Sequence, residues 1–333
     1  MSLDPARLLD IARSYRLSQL VYACAALGVA DMLAERPLTG GEVARGLEAD
    51  AALVSRLLRA AASEGVISFA DGRFGLNDFS RQLRSAGEGS MRDFVVGWLT
   101  LRPGYIAFAH LDEAIKTGRS GLELAFGERF HAYLRTHASD AARYEAAMGS
   151  TVDGFRAVAG AYDFSRFPVI VDVGGGHGGF LAAIIERHPH VRGILFDLPD
   201  VAAGAADRLA SFPHRDAISI AGGDMFCDLP AGADAYLFST VLRCFDDDEC
   251  RKVLSLCADR MAPGGHLLAV EMVLPEGIPP SPQGLADLQA LVVYGGKDRT
   301  RAEWAALLQQ AGFASPQFHP ADGPYAIVDA VRA

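Results

Sequence analysis

Two aspartates and a run of glycines have the types and spacing of a nucleotide-binding site. Asp172 lies in the apolar, β-branched run Val169–Val173, and the glycines that include Gly174 and Gly176 follow it directly. Asp197 ends a second apolar run about twenty residues later, where a doubly wound fold places a carboxylate on ribose hydroxyls. Glycines at such a turn permit positive φ and let a ligand approach the main chain. This pattern suits NAD and S-adenosylmethionine equally.

An adenosine ligand without phosphates is favoured by what surrounds these residues. The glycine run lacks the Gly-Lys-Ser/Thr ending of a phosphate loop, and it fits the dinucleotide spacing Gly-x-Gly-x-x-Gly only weakly. A third apolar run leads into Ala221–Phe226, where Asp224 is suited to an adenine edge and Met225 to its face. These side chains therefore favour S-adenosylmethionine over a phosphorylated nucleotide.

The elements that must position these residues alternate along the C-terminal half. Strands are predicted near residues 169–173, 192–197, 217–221, 233–238, 266–273 and 325–331, with helices between them. Such alternation predicts an α/β fold with a mostly parallel sheet and helices on both faces. Right-handed crossovers then bring the glycine-rich turn, Asp197 and Asp224 to the carboxyl edge of the sheet.

Five motifs occur in an order that resembles the S-adenosylmethionine-dependent small-molecule O-methyltransferases of the caffeate and acetylserotonin type. They are Asp172–Gly178, Phe196–Pro199, Gly223–Phe226, Met261–Gly265 and Gly295–Thr300, the last followed by Ala311–Phe313. The segment Gly121–Phe130 is most similar to the bacterial phenazine N-methyltransferase branch of secondary metabolism. The resemblance covers nearly the whole chain. It implies a Rossmann-like class I methyltransferase sheet, an N-terminal, mostly helical winged-helix dimerisation domain, and S-adenosylmethionine as cofactor with S-adenosylhomocysteine as product.

The resemblance also implies which residues hold the cofactor. They are Asp172, Gly174, Gly176, Asp197, Leu198, Asp224, Met225, Phe226 and Ser239. Ser239 stands where many family members have a basic residue, so that contact is altered in this chain. Structural alternatives are a helix-capping role for Asp172, an exposed loop position for Asp197 and a turn-capping role for Asp224.

Arg243 is the departure from the family with the largest chemical consequence. Family members carry a histidine there, which removes a proton from the substrate hydroxyl, whereas a guanidinium stays protonated and cannot act as a base. Glu271 and Asp298 match the two family acids that flank this histidine, with Asp298 replacing the more usual Glu. Nitrogen attacks a sulfonium through proximity and alignment rather than through a strong base. The sequence therefore predicts N-methylation in preference to O-methylation, with Arg243, Glu271 and Asp298 as the catalytic group.

Several alternatives stay open at this stage. Arg243 is suited to a substrate carboxylate or enolate, or it points outward into an ion pair with residues 246–249. Glu271 and Asp298 either orient Arg243 and accept a proton, or serve as a strand-end acid and a helix cap. The activity alternatives are O-methylation with another base such as His110 or His131, a non-methylating hydroxylase or pericyclase, and a ligand-sensing winged-helix regulator.

Length and charge indicate the domain organisation. A chain of 333 residues is longer than chains with a single hydrophobic core usually are. Three regions are predicted: a winged-helix-like dimerisation domain over 1–100, a helical linker that contributes to the substrate pocket over 101–160, and the catalytic domain over 161–333. The winged helix is indicated by helices within 38–67 and an Asp-Gly hairpin at 69–74. Residues 1–100 hold eleven Arg, no Lys and twelve acids, and the whole chain has a net charge of −10. Both counts argue against nucleic acid as a partner.

The remaining partners are predicted from composition and from the resemblance. Aromatic residues concentrate between residues 90 and 162, where a planar aromatic substrate would be held by stacking, with Trp98, Phe108, Met148, Phe155 and Arg243 as the candidate contacts. The apolar stretch 12–33 and the resemblance predict a homodimer. Five cysteines without paired spacing, and no signal peptide, membrane span or metal-ligand spacing, predict a cytoplasmic protein without metal.

Overall fold

The computed structural model describes residues 4–87, 89–99, 102–150, 152–262, 264–278, 281–321 and 325–333. The chain divides into two compact units, one formed by Met1–Tyr105 with Leu134–Ser150 and the other by Ile106–Tyr133 with Thr151–Ala333. The region 101–160, predicted as one linker, is thus shared between the two units. The domain bounds taken from the sequence stay a prediction.

Helices and one hairpin precede the large sheet. The helices of this part are α1 (Pro5–Arg13), α2 (Tyr15–Ala26), α3 (Val29–Met32), α4 (Gly40–Gly46), α5 (Ala51–Ser63), α6 (Asp78–Arg81), α7 (Arg92–Phe94), α8 (Arg102–Phe108), α9 (Leu111–Thr117), α10 (Gly121–Phe126), α11 (Phe130–Thr136), α12 (Ala138–Gly149) and α13 (Val152–Ala161), with a π-helix over Val95–Leu99. The hairpin pairs β1 (Ser68–Ala70) with β2 (Arg73–Gly75). Its predicted Asp-Gly turn is present, with φ of 52° at Asp71 and 75° at Gly72.

The second unit is built on a mixed sheet in which β3 is the middle one of five adjacent parallel strands. Its strands are β3 (Val169–Val173), β4 (Arg192–Asp197), β5 (Ile218–Gly222), β6 (Ala235–Ser239), β7 (His266–Leu274), β8 (Arg299–Thr300), β9 (Gln317–Pro320) and β10 (Tyr325–Val331). The order is β5-β4-β3-β6-β7-β10-β9, with β8 beside the end of β7. The strands from β5 to β7 are parallel, and β10 is antiparallel to β7 and β9. The chain order reverses between β3 and β6, which is where such sheets bind ligands.

Helices cover both faces of this sheet because its strands are apolar on both sides. The helices of this part are α14 (Gly179–Arg187), α15 (Pro199–Leu209), α16 (Asp247–Arg260), α17 (Gln283–Tyr294) and α18 (Arg301–Gln310). Along β3, Ile170 packs with residues of α13 and α14, whereas Val171 packs with residues of α16 and α18. Successive side chains of β6 and β7 also pack alternately with one group of helices and with the other. The sheet therefore separates two hydrophobic cores, one on each face.

The sequence placed the six long strands within two residues of their observed bounds and missed two others. β8 is two residues long, and β9 is a polar edge strand that pairs with β10. Neither carries the apolar run from which the other strands were predicted. The sheet therefore has two more strands than the sequence predicted: β9 at the edge beside β10, and β8 beside the end of β7.

Gly97 shows how tightly the first unit is packed. A Cβ at this position would lie 1.9 Å from the carbonyl oxygen of Arg143 and 2.8 Å from the Cβ of Ala147. We expect Gly97→Ala to destabilise the protein by about 2 kcal/mol or more because the backbone of α12 must move. Gly41→Ala, in α4 with no neighbouring atom within 4 Å, is the matched control. Equal melting temperatures for the two variants in differential scanning calorimetry would contradict this packing.

Candidate active site

The glycine-rich turn joins β3 to α14 and is closed by main-chain contacts. Gly174 and Gly176 have φ of 69° and 58°, a region that favours glycine over other residues. The amide of Gly174 donates to the carbonyl oxygen of Phe196 over 2.8 Å, which joins the turn to the end of β4. A Cβ at Gly175 would lie 2.6 Å from a carboxylate oxygen of Asp172, so the turn passes directly over that side chain.

Asp197 holds this turn from the end of β4. Its Oδ2 accepts a hydrogen bond from the amide of Gly176 over 2.8 Å, and its Oδ1 accepts one from the amide of Leu198 over 2.7 Å. Burial raises the pKa of Asp197, and these two amides oppose that rise. The carboxylate therefore stands at the carboxyl edge beside the glycines, as the predicted ribose contact requires, and each oxygen keeps a lone pair for a hydroxyl.

Three buried polar side chains near the carboxyl ends of adjacent strands have oxygens without a partner among the described residues. They are both carboxylate oxygens of Asp172 on β3, Oγ of Ser239 on β6 and Oε2 of Glu271 on β7. Buried polar atoms are normally hydrogen-bonded, and burial raises the pKa of Asp172 to about 7, with Asp197 adding to the rise. A cationic ligand would stabilise the charged form of Asp172, so this residue fits a sulfonium cofactor that also carries an ammonium group.

The predicted adenine contacts lie on the loop after β5. Asp224 is exposed and its Oδ1 accepts from the amide of Phe226 over 2.9 Å, so it does cap its own turn. Met225 is half-buried against the core. The exposed ring of Phe226 meets the ring of Phe245 edge-on at 5.1 Å between centroids. The loop leaves Phe226 and the outer oxygen of Asp224 accessible to a ligand, and the adenine role stays a prediction.

Arg243 points inward and pairs with Asp298. Its Nε donates to Oδ1 over 2.9 Å and its Nη2 donates to Oδ2 over 2.8 Å, a bidentate pair in which the arginine side chain is 12% exposed and the aspartate side chain is fully buried. Nη2 also donates to the carbonyl oxygen of Ala286, and Nη1 has no hydrogen bond to the described residues. Burial disfavours the charge, but Asp298 outweighs burial and raises the pKa of Arg243. The alternative of an outward pair with residues 246–249 is wrong.

The acids 246–249 have other partners. Asp246 caps α16 by accepting from the amide of Glu249 over 2.8 Å. Glu249 forms a bidentate pair with Arg129. These acids therefore hold α16 and the segment before α11, away from the guanidinium of Arg243.

Glu271 binds the main chain of the turn that carries Arg243. This turn is the short 3-10 helix Leu242–Cys244, and Oε1 of Glu271 accepts from the amide of Leu242 over 2.8 Å and from that of Arg243 over 3.4 Å. Burial raises the pKa of Glu271 to about 8, although Arg243 opposes the rise. β7 continues three residues beyond Glu271, and Thr300 rather than Asp298 caps α18. The strand-end and helix-cap alternatives for Glu271 and Asp298 are therefore wrong.

Sequence reasoning missed two residues at this site. Arg299, directly after Asp298, is fully buried and donates to the carbonyl oxygens of Leu242 and Phe245. Tyr325 starts β10 and is half-buried; burial raises the pKa of its phenol, and Glu271 and Asp298 raise it further. Arg299 lies in the Gly295–Thr300 motif, which signals its position. For Tyr325 the sequence offers no signal beyond its place at the start of a predicted strand.

The predicted substrate contacts belong to both compact units. Trp98 and Met148 lie in the first unit, where the indole ring of Trp98 is 5.9 Å from the ring of Tyr144. Phe108 and Phe155 lie in the second, Phe108 exposed and Phe155 at 5.3 Å from the ring of Phe180 on α14. Phe155 thus packs on the core beside the glycine-rich turn. The substrate role of all four residues stays a prediction.

Two kinds of site are not found in the described part of the chain. No group of three or more His, Cys, Asp or Glu side chains is arranged to hold a metal ion there. Among the same residues, no helix combines the length and apolar character needed to cross a bilayer.

Comparison with known proteins identifies the family. Residues 108–314 match the O-methyltransferase domain, and residues 9–85 match the O-methyltransferase dimerisation domain. The chain belongs to the O-methyltransferase family. The predicted family and the predicted α/β class with an N-terminal dimerisation domain are therefore confirmed, and the protein is an enzyme rather than a winged-helix regulator.

Relatives within this family methylate different atoms. Phenazine O-methyltransferase of Lysobacter antibioticus is 37% identical over 97% of this chain and 95% of its own length. Phenazine-1-carboxylate N-methyltransferase of Pseudomonas aeruginosa is 30% identical over 89% of this chain and 88% of its own. Human N-acetylserotonin methyltransferase, solved in complex with SAM, superposes with a TM-score of 0.87 at 29% identity over 100% of this chain and 99% of its own. Family membership alone does not decide between nitrogen and oxygen.

The carboxylate of Asp197 provides a direct test of the cofactor site. We expect Asp197→Asn to weaken S-adenosylhomocysteine binding by about a hundredfold, because a charged acceptor of hydroxyl donors is lost. Asp200→Asn, an exposed acid in the first turn of α15, is the matched control and should bind normally. Isothermal titration calorimetry measures both affinities, and equal values for the two variants would refute the ribose assignment.

Proposed function

We propose that this enzyme transfers a methyl group from S-adenosylmethionine to a small, planar aromatic or heteroaromatic metabolite, and that it prefers nitrogen to oxygen. The observation that carries this proposal is the bidentate pair between Arg243 and Asp298. Residue 243 holds the position of the family's general base, and here it is a cation locked in a buried ion pair. A site without that base favours an acceptor atom that needs no prior loss of a proton.

Nitrogen and phenol oxygen differ in whether they need a base to accept a methyl group. The bound cofactor supplies an electrophilic methyl group on a positively charged sulfur. An amine or ring nitrogen attacks with its lone pair and loses any proton afterwards, whereas a neutral phenol must lose its proton as it attacks. The chain's own contribution to the nitrogen route is alignment and exclusion of water, which together supply much of the acceleration in such displacements.

The ion pair also changes what Arg243 offers to the acceptor. Asp298 neutralises its charge, so the pair does not require an anionic acceptor. Nη1, which has no hydrogen bond to the described residues, is the part of the guanidinium left for a substrate oxygen or nitrogen. Arg243 thus orients the acceptor through one hydrogen bond, and this contact does not require a carboxylate or enolate on the acceptor.

Glu271 supports a second candidate, O-methylation with a carboxylate base. Its pKa of about 8 is close to the value at which a general base is most effective near neutral pH. Its Oε2 has no partner among the described residues. Proton transfer from a phenol to Oε2 would replace the step that histidine performs elsewhere in the family. In the nitrogen route, the deprotonated form of Glu271, which predominates above pH 8, accepts the proton released after attack at the same oxygen, and below that pH the proton passes to solvent.

Assembly and location belong to the same proposal. Leu8, Leu9 and Ile11 on α1 are all at least half exposed, and α1 has no buried residue. A second copy of the chain would cover this apolar face, in keeping with the dimerisation domain. We place the winged-helix arrangement of α4, α5 and the β1–β2 hairpin in that dimerisation role. All five cysteines are unpaired, which suits a reducing cytoplasm.

The methylated atom can be tested in one molecule. With S-adenosylmethionine and 3-amino-4-hydroxybenzoate, whose ring carries an amine beside a phenol, we expect a product heavier by one CH2 and an equal amount of S-adenosylhomocysteine. Mass spectrometry measures the mass, and NMR of the new methyl group should show N-methyl. Mainly O-methyl product would contradict the preference for nitrogen. No turnover of this compound or of phenazine-1-carboxylate would contradict the substrate class.

Substitutions at position 243 sharpen this test. Arg243→His restores an imidazole, and we expect it to raise the proportion of O-methyl product several-fold because a base is again present. Arg243→Lys, which keeps a cation and provides no base, is the matched control and should leave that proportion unchanged. Equal product ratios for the two variants would show that the base does not decide the methylated atom.

The pH dependence separates the two routes. A carboxylate base works in its deprotonated form, so with Glu271 as base the rate falls about tenfold per pH unit below 8 and levels off above it. In that route, Glu271→Gln would remove most of the activity and abolish the fall in rate below pH 8. In the nitrogen route, we expect the rate of product formation to be nearly flat from pH 7 to 9 and to fall only a few-fold in Glu271→Gln. A steep limb that Glu271→Gln abolishes would establish the oxygen route.

A further inference from the structure

Arg299 is a buried cation that the proposed chemistry does not use. It is 1% exposed, and its Cζ lies 5.5 Å from the ring centre of Trp304. Its Nε donates to Oδ1 of Asp247 over 2.9 Å, and Nη2 lies 3.3 Å from Sγ of Cys250. A buried guanidinium is expensive to desolvate, so a stable fold alone gives little reason to keep one.

The main contacts of Arg299 are with the backbone around Arg243. Nη1 donates to the carbonyl oxygen of Leu242 and Nη2 to that of Phe245, each over 3.1 Å. These two carbonyls lie immediately before and after the Arg243-Cys244 pair. The planar guanidinium reaches both at once, whereas a lysine ammonium has no comparable fork.

The same turn is held from its other side by Glu271. Its carboxyl group accepts from the amides of Leu242 and Arg243, so amides and carbonyls of one short segment each have a buried side chain as partner. The segment begins with Thr240 at φ of 56°. This conformation is uncommon for a β-branched residue and persists only where the surroundings hold it. The turn therefore depends on its buried partners for its shape.

We propose that Arg299 is a positioning residue for the methyl-transfer reaction, because it fixes the backbone from which the side chain of Arg243 reaches the acceptor. Two successive residues of one motif then act on one target: Asp298 holds the side chain of Arg243, and Arg299 holds the main chain on either side. This inference rests on the proposed role of Arg243 in binding the acceptor.

Asp247 offers a mild way to disturb Arg299. Asp247 and Asp248 both lie in the first turn of α16, so replacing either by Asn has the same effect on the helix dipole. Asp247 contacts Arg299, whereas Asp248 pairs with Arg251 over 2.9 Å. Asp247 also pairs with Lys297 over 2.9 Å, and Lys297→Gln removes that contact together with the pair between Lys297 and Glu303 over 3.1 Å, while the contact of Asp247 with Arg299 is kept. The set Asp247→Asn, Asp248→Asn and Lys297→Gln therefore isolates the contribution of Arg299.

The first measurement needs no acceptor. In hydrogen exchange followed by mass spectrometry, we expect Arg299→Lys to speed exchange of the peptide 238–246 by about tenfold, and Asp247→Asn by about threefold. Asp248→Asn and Lys297→Gln should match the unmodified protein. The NMR signal of the Arg243 Nε proton should broaden in Arg299→Lys although Arg243 and Asp298 are unchanged. Exchange of this peptide that is the same in Asp247→Asn as in Asp248→Asn would overturn the proposal, even if Arg299→Lys fails to fold.

The second measurement uses 3-amino-4-hydroxybenzoate as acceptor. We expect Arg299→Lys to raise its KM about tenfold with little change in kcat and with normal S-adenosylhomocysteine affinity. In an Arg243→Ala background the same change should add nothing, because the positioned group is gone. An equal effect of Arg299→Lys in both backgrounds would reveal a merely structural role and overturn the proposal.

Failure of this inference is distinguishable from failure of the proposed function. If Arg243→Ala raises the acceptor KM while Arg299→Lys and Asp247→Asn do not, the positioning role is refuted and the proposed function stands. If Arg243→Ala leaves the KM unchanged, the acceptor role of Arg243 is refuted, and the positioning role is refuted with it.

Discussion

The buried ion pair between Arg243 and Asp298 decides what this active site can do. A guanidinium with two hydrogen bonds to one carboxylate offers neither a proton acceptor nor an unbalanced positive charge. Breaking such a pair would leave a buried charge without a partner, at a cost of about 3–5 kcal/mol, which disfavours its disruption. Under the proposed function, proton transfer then falls to Glu271 or to the acceptor itself, and selectivity depends on the atom presented to the methyl group.

A second constraint is the raised pKa of two other buried acids, Asp172 and Glu271. Burial raises the pKa of Asp172 to about 7 and that of Glu271 to about 8, so near neutrality in the free enzyme Asp172 is divided between its charged and neutral forms and Glu271 is mostly neutral. A cationic cofactor stabilises the charged form of Asp172 and thereby favours release of its proton on binding. If Asp172 contacts the cofactor as proposed, binding therefore selects the charged form of this carboxyl group.

The sequence predicted the parts of this enzyme that depend on local pattern. The apolar runs that became β3 and β4, the glycine-rich turn and the place of Asp197 follow from strand periodicity and turn chemistry. The direction of Arg243 does not, because its partner Asp298 lies 55 residues away in the sequence. The edge strand β9 was missed for a related reason: it is polar, and its pairing with β10 is its main signal.

The side chains at positions 243 and 298 complement each other in length as well as in charge. Arginine is longer than the histidine that the family carries at the first position, and aspartate is one methylene shorter than the glutamate usual at the second. In this chain the long cation on the turn after β6 reaches the short acid directly before β8 with two hydrogen bonds. The buried partners of the turn, Glu271 and Arg299, bind its main chain, so these hydrogen bonds do not require a particular side chain at position 243. A change of side chain at position 243 therefore leaves these main-chain contacts in place, and under the proposed function it acts on the chemistry of proton removal.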